Sequence, residues 1–421
     1  MRHATSPHKS MKRTLMCATA AVAALTMTLS GCGSSSSSGS ASSSSNGGFV
    51  LGALFPQTGS LAYMSPQEEG AVKLALKDIN DAGGVLGKKA TSVSADTSDA
   101  DHADQNTSGT QSVLSKKPSA IIGPASSSVV KNVYKEISAA KVPLISMGAT
   151  SASLSGVDPY FFRTVAPDSV QGAVLGSVIA QDGVQKLAIA SFNDDYGTGL
   201  RDTIAKTAEA AGVDVVYGKD QAFDPTETNF SSLVSTIKAS NPDAIAIIAF
   251  DQTKPLIKEM IAQGVDTTKL YLVDGNTSDY SDTFDKGTLK GVTGTIPGAH
   301  ASADFQKKVK SMESSVKDYT YAAETYDGVI LFALAAQKGG KTDGETIQKN
   351  LLAVSGANGG TKCKSYKECV ALLKDGKDIE YVGQTGPFNK NHDPSSANIG
   401  VYKFGEDNKP VFDHAQSGKV S

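Results

Sequence analysis

Short, unbroken apolar runs recur along this chain, separated by stretches in which apolar residues return every three or four positions. Phe49-Val50-Leu51-Gly52-Ala53-Leu54-Phe55, Ala120-Ile121-Ile122, Pro143-Leu144-Ile145, Leu187-Ala188-Ile189-Ala190, Ala244-Ile245-Ala246-Ile247-Ile248 and Leu270-Tyr271-Leu272-Val273 each read as a buried strand. Helical periods fall over 129–140, 169–180, 198–211, 230–239 and 254–263. A further helix is predicted at Ser65-Pro66-Gln67-Glu68, with Ser65 as N-cap, proline in the first turn and glutamate three residues after the cap. Val72, Leu76 and Ile79 line its buried side. Strands that are apolar throughout, with helices between them, belong to parallel sheets covered on both faces. The roughly 370 residues from Phe49 onward exceed one ordinary core. The predicted fold is therefore α/β, with two doubly wound, Rossmann-like domains and mainly parallel sheets.

The start of the chain follows a different pattern. Arg2, Lys9, Lys12 and Arg13 precede residues 14–31, which carry no charge and include Leu15, Met16, Val22, Leu25, Met27 and Leu29. Leu29-Ser30-Gly31-Cys32 then places small residues before a cysteine. This looks like a bacterial lipoprotein signal: 1–31 is cleaved, and Cys32 becomes the lipidated N-terminus. The alternative is an ordinary secretory signal with Cys32 incidental. Residues 33–48 hold no apolar side chain larger than alanine and read as a flexible tether. Acyl chains on one cysteine suffice to hold a body at a membrane. The expected location is the extracellular face of the cell membrane, and no later run is long and apolar enough to cross a bilayer.

Charge narrows the partners. The chain has 40 Lys+Arg against 43 Asp+Glu, and four of the basic residues lie in the leader, so the body is mildly acidic. That argues against nucleic acid. Beyond Cys32 the remaining cysteines are Cys363 and Cys369, which in an exported protein are expected to form a disulfide. Five intervening residues do not suit a CxxC redox pair, and no histidine pair accompanies them for a metal.

In doubly wound sheets, ligands sit beyond the carboxyl ends of strands. The residues there fall into two kinds. Pro56-Gln57-Thr58-Gly59, Gly123-Pro124-Ala125-Ser126-Ser127-Ser128 and Ser146-Met147-Gly148-Ala149-Thr150 are small, hydroxylic and glycine-bearing, as a carboxylate seat requires. Phe192-Asn193-Asp194-Asp195-Tyr196, Phe250-Asp251-Gln252 and Asp274-Gly275-Asn276 are acidic and aromatic, and suit a cation with an apolar body. Together they describe a zwitterion held between domains; taken singly, each loop also reads as ordinary turn and capping chemistry. Catalysis finds no support: no serine stands in G-x-S-x-G, Gly340-Lys341-Thr342 lacks its upstream glycine (Ala335), and the histidines are scattered. Asp96, Asp99, Asp101 and Asp104 lack the glycine and closing glutamate of a calcium loop and read as solvated capping. The chain is expected to be no enzyme and to need no cofactor or metal.

Five stretches, in order, resemble the extracellular solute-binding proteins of ABC importers in the branched-chain amino acid (Leu/Ile/Val-binding) branch. They are Ile79-Asn80-Asp81-Ala82-Gly83-Gly84-Val85-Leu86-Gly87-Lys88-Lys89, Ile122-Gly123-Pro124-Ala125-Ser126-Ser127, Val142-Pro143-Leu144-Ile145-Ser146 with Gly148-Ala149-Thr150, Phe162-Arg163-Thr164, and Asn193-Asp194-Asp195-Tyr196-Gly197. The resemblance implies a type I periplasmic-binding-protein fold, a Venus-flytrap with a three-strand hinge. Lobe 1 would be 49–163 plus 298–381 and lobe 2 would be 164–297 plus 382–421. It implies a ligand carboxylate on Ser127, Gly148 and Thr150, an ammonium on Asp274, Tyr196 and Phe250 closing from lobe 2, and Tyr63 or Met64 flanking the side chain. Tyr321, Tyr326 and Asp327 would lie near the cleft. It departs from the family in having aspartate at 274, where glutamate is common, and phenylalanine at 250, where tyrosine is common. The implied partners are an amino acid or related small carboxylate, an ABC permease with its ATPase, and a membrane reached through the lipid, the protein itself acting as a monomer. Amides, urea-like molecules and aromatic acids are alternative ligands within the family, and ligand sensing is an alternative role.

Overall fold

The computed structural model describes residues 48–298 and 300–420; the leader, Cys32 and nearly all of the tether lie outside them. The predicted runs become strands of two sheets. The first collects β1 (Val50–Phe55), β2 (Thr91–Asp96), β3 (Ala120–Ile122), β4 (Leu144–Ser146) and β5 (Phe161–Arg163) in the order β2-β1-β3-β4-β5, all parallel. Helices α1 (Ser65–Asp81), α2 (Ala103–Leu114) and α3 (Ser127–Ala139) connect them. Alternate residues of one strand reach opposite layers. Leu54 and Ile121 pack with Val113 of α2 and Val133 of α3, whereas Phe55 and Ile122 pack with Val72 and Ile79 of α1. Both faces are therefore apolar, which is why these strands carry no polar alternation.

From β5 the chain crosses into α4 (Asp168–Gln181) and the second sheet. There β6 (Lys186–Ser191), β7 (Asp214–Tyr217), β8 (Ala244–Ile248), β9 (Leu270–Leu272) and β10 (Thr293–Pro297) alternate in part with α5 (Asp195–Ala210), α6 (Ser231–Ala239) and α7 (Thr253–Ala262). A second crossing after β10 leads to α8 (Ala303–Met312), α9 (Ala322–Gly339) and α10 (Gly344–Ser355), of which α9 packs against α1 and the first sheet. Next come β11 (Thr361–Cys363), α11 (Tyr366–Lys374) and β12 (Ile379–Tyr381), with a disulfide joining Cys363 to Cys369 at the start of α11. A third crossing returns to β13 (Ser396–Phe404) and β14 (Pro410–Lys419), completing the order β14-β13-β10-β9-β8-β6-β7. In that sheet β13 runs antiparallel to both its neighbours, β10 and β14, and the other pairs are parallel.

Two local features differ from the sequence reading. Helix α1 starts at Ser65, but Met64 holds the N-cap position and no side chain caps it. Glu68, expected in a capping box, is buried instead, with neither carboxylate oxygen hydrogen-bonded. The segment after Val382 also does not pass directly to the second sheet. Phe388 rests on Phe162 (ring centroids 5.3 Å), and the β5 edge is held by Arg163 N–H donating to His392 O (3.2 Å). Among the described residues no helix is long and apolar enough to cross a membrane.

Candidate functional site

The loops after β3 and β4 form one wall of a cleft. Gly123 adopts φ +95°, and a Cβ there would lie 2.0 Å from Leu54 O, so only glycine lets the β3 loop run this close to β1. Ser146 Oγ donates to Pro124 O (2.6 Å) and accepts from Ala149 N (2.9 Å), tying the two loops together. Ser126 caps α3 through Val129 N, which leaves Ser127 at the helix start; its hydroxyl accepts from Ser151 N (3.0 Å) and keeps its own proton to donate. A Cβ on Gly148 would press on Ala125 O and on the Tyr321 ring, each at 3.2 Å. The wall is thus small because the loops and Tyr321 pack that tightly.

The facing wall comes from the loops after β6, β8 and β9. Asp194 caps α5 (Gly197 N, 2.7 Å), which places Tyr196 in the first turn of the helix. Tyr196 and Tyr321 donate to the two oxygens of Asp274, at 2.7 and 2.5 Å. Phe250 stacks on Tyr196 with ring centroids 5.5 Å apart and leans on Phe192 at 4.8 Å. Asp274 is buried, and burial raises its carboxyl above the usual range against the opposing pull of the two tyrosine hydroxyls.

The walls meet across the crossings. Tyr63 OH donates to Gly275 O (2.8 Å), Ser128 Oγ to Asp194 (3.0 Å), and Lys131 pairs with Asp195 (2.6 Å). Between them lies a cavity of about 10 Å³, room for about one water. Of the residues expected at the site, Ser127, Gly148, Tyr196, Phe250, Asp274, Met64 and Tyr321 line it together. Thr150 and Tyr63 do not line it. Thr150 sits behind the wall, where its carbonyl accepts from Asp168 N (2.8 Å), and Tyr63 lies beyond Gly275. Tyr326 is further away, on Asp78 (2.8 Å), and Asp327 is held by Tyr381 and the N–H groups of Gln384 and Thr385 at the third crossing.

One group was missed. Asp168, the first residue of α4, is fully buried beside Thr150 and within electrostatic reach of Asp274. Neither of its oxygens has a hydrogen-bond partner, nor does Thr150 Oγ1 or Gln171 Oε1. Burial pushes the Asp168 carboxyl well up and the Asp274 charge adds to it, against the opposing pull of the Thr150 hydroxyl and of Arg163. The sequence offered little warning, since an aspartate opening a helix is ordinary dipole chemistry. The usable signal is that it follows a strand. That strand, Phe161-Phe162-Arg163, is short and ends in a charge.

A two-sheet α/β protein with a polar cleft at the carboxyl ends of its strands, bridged three times, has the build of a type I periplasmic binding protein. A model of the family described as periplasmic binding protein matches residues 49–367, and this chain belongs to that family. It is similar to the Leu/Ile/Val-binding protein homolog 3 of Brucella melitensis, 22% identical over 86% of this chain and 92% of that protein. It is also similar to the metabotropic glutamate receptor-like protein E of Dictyostelium discoideum, 26% identical over 69% of this chain; the match spans only 38% of that longer protein. Among solved structures, the branched-chain amino acid transporter substrate binding protein LivJ from Streptococcus pneumoniae, in complex with isoleucine, shares the fold at a TM-score of 0.71 and 23% identity. The similarity covers 89% of this chain and all of that one (100%).

Proposed function

We propose that this protein is the extracellular substrate-binding component of an ABC importer, tethered through Cys32, and that it captures an α-amino acid between its two lobes. The hinge runs through the three crossings, at about 163/164, at about 297/298, and between β12 and β13. The ligand carboxylate meets Ser127, Thr150 and the N–H groups of Ser127, Gly148 and Thr150. The ammonium meets Asp274, and Asp168 serves as a second carboxylate. Tyr196 and Phe250 cover it from lobe 2, and Tyr63 and Met64 flank its side chain. Tyr321 yields its hydrogen bond on Asp274 to the incoming ammonium.

The observation that carries this reading is the set of buried acceptors left short of donors near Asp274: both Asp168 oxygens and Gln171 Oε1. A buried polar atom left unpaired costs about 1–3 kcal/mol, and an ammonium supplies three donors to just such a cluster. The names of several similar proteins point to amino acids, whereas other solved structures of the same fold hold 4-hydroxybenzoate or benzoate. Ligand bridging both walls binds the closed form better and shifts the population toward it, and the closed lobes then present their joint surface to a permease.

The test is the melting temperature of the body from Phe49 onward against amino acids, amides, urea-like compounds and organic acids. A ligand at a hundred times its dissociation constant adds about 2.7 kcal/mol. A shift with amino acids is expected. A shift only with uncharged amides or simple acids removes the ammonium role, and no shift with any of them, on protein freed of retained ligand, removes the reading.

A further inference from the structure

The cavity beside Asp274 is too small for an amino acid side chain, but it has a much larger neighbour. Tyr321 is the wall between them. On one side its ring approaches Gly148 and its hydroxyl reaches Asp274, so it lies along the whole length of the proposed zwitterion seat. On the other side it lines a chamber of about 260 Å³, also between the lobes, bounded by β10 and β13 residues below and by residues 317–324 above. Tyr321 adopts φ +61°, a left-handed backbone that a bulky residue rarely takes.

The charges of this chamber do not balance. Asp279 has its cation in Lys409, at 2.8 Å, and Lys317 leans toward Asp282 at 3.8 Å. Asp318 and Glu324 have no ion-pair partner among the described residues. Asp318 accepts from the Thr320 N–H (2.7 Å), and the Thr320 hydroxyl and Tyr319 N–H also face it, all on its own loop. Glu324 is 4% exposed, and its carboxylate receives no hydrogen bond from any other described residue. It abuts Gly298 so closely that a Cβ there would stand 2.1 Å from Oε1. His300, the remaining candidate cation, stacks on Phe412 (ring centroids 5.0 Å) and faces Tyr402 rather than either acid. Burial raises Glu324 to about 8 and lifts Asp318 as well, so both carboxyls gain by meeting a positive charge.

The geometry points to a ligand whose side chain passes Tyr321 and ends in a cation. We infer that this site takes a basic amino acid, bearing a guanidinium or a terminal amine, with Glu324 and Asp318 receiving the distal charge. The inference rests on the amino-acid reading above and narrows it from aliphatic to basic side chains. A charge-assisted hydrogen bond to the buried Glu324 discriminates by about tenfold or more, whereas a neutral branched side chain would leave both carboxyls without a cation.

Isothermal titration of the body from Phe49 onward with arginine, lysine, leucine and glutamate tests it, on wild type, Glu324→Gln and Asp318→Asn, each checked for a native urea transition. Arginine or lysine is expected to bind about tenfold or more tighter than leucine, with Glu324→Gln removing that advantage and leaving leucine within about twofold. Asp318→Asn, away from the hinge crossings, is expected to act in the same sense if Glu324→Gln fails to fold. Leucine binding as tightly as arginine, or both variants weakening all ligands equally, overturns the basic-ligand inference and leaves the amino-acid reading standing. Binding of none of the four overturns both.

Discussion

Two buried charged residues stand five positions apart on the first crossing, and they are treated in opposite ways. Arg163 is saturated: it donates to Asp393 (2.5 Å), to Ala149 O and Ser151 O (3.1 and 2.8 Å) and to Ser155 Oγ (2.6 Å), leaving only Asp393 Oδ2 of that group without a partner. Asp168 is equally buried, and its carboxyl has only the Thr150 hydroxyl beside it and the more distant Arg163 charge to set against burial. The first arrangement is how a chain stitches loops to a sheet edge, since a buried ion pair is tolerable only when its hydrogen bonds are satisfied. The second is tolerable only if something else completes it. On the proposed reading, that difference in saturation marks Arg163 as a residue that holds the fold and Asp168 as one that serves the cleft.

The sharpest way to break that contrast is to remove each charge. Arg163→Met strands Asp393 in the interior and is expected to cost about 3–5 kcal/mol of stability, read as a lower urea midpoint. Asp168→Asn should leave the midpoint equal or higher while weakening amino acid binding by about 2–5 kcal/mol, because it strips a charged partner from a desolvated ammonium. If Asp168→Asn instead destabilises the protein like Arg163→Met, the carboxylate belongs to the fold.

A titration sharpens the comparison. The raised carboxyls of Asp168, Asp274, Glu324 (to about 8), Asp327 and Asp194 (each to about 6) favour the protonated folded state. Their contribution is complete below about pH 4 and is lost as pH rises through these folded values. Unliganded protein should therefore lose stability as pH rises from about 4 to about 8. Melting curves across that window should be flatter for Asp168→Asn, and identical slopes would contradict its raised pKa.

Smaller effects test the contacts that join the walls. Tyr63→Phe removes one hydrogen bond across the cleft and is expected to weaken ligand binding by about 0.5–1.5 kcal/mol. Lys131→Ala breaks a partly exposed pair and should cost under about 1 kcal/mol, vanishing at high salt.

What the sequence revealed followed the same division. Strands buried on both faces announce themselves as continuous apolar runs, so six strand positions and the residues just beyond them could be read directly, and these include Ser127, Gly148, Tyr196, Phe250 and Asp274. β13 and β14 were not legible, because they form an antiparallel edge on which polar and apolar residues mix. Asp168 escaped because β5 ends in Arg163, whose charge hides a strand until its partners are seen. Glu324 escaped for a different reason: it opens a helix, where an acid is ordinary, and only the folded chain brings Gly298 and the third crossing around it. The Phe162-Arg163-Thr164 motif carried family resemblance without disclosing that its arginine is structural.

The most direct test of the central claim is calorimetric binding of an α-amino acid and of its deaminated analogue to wild type and to Asp168→Asn. A buried pair of carboxylates awaiting an ammonium predicts that wild type binds the amino acid at least about a hundredfold more tightly and that Asp168→Asn removes most of this preference. Equal affinity of wild type for the two compounds would contradict it.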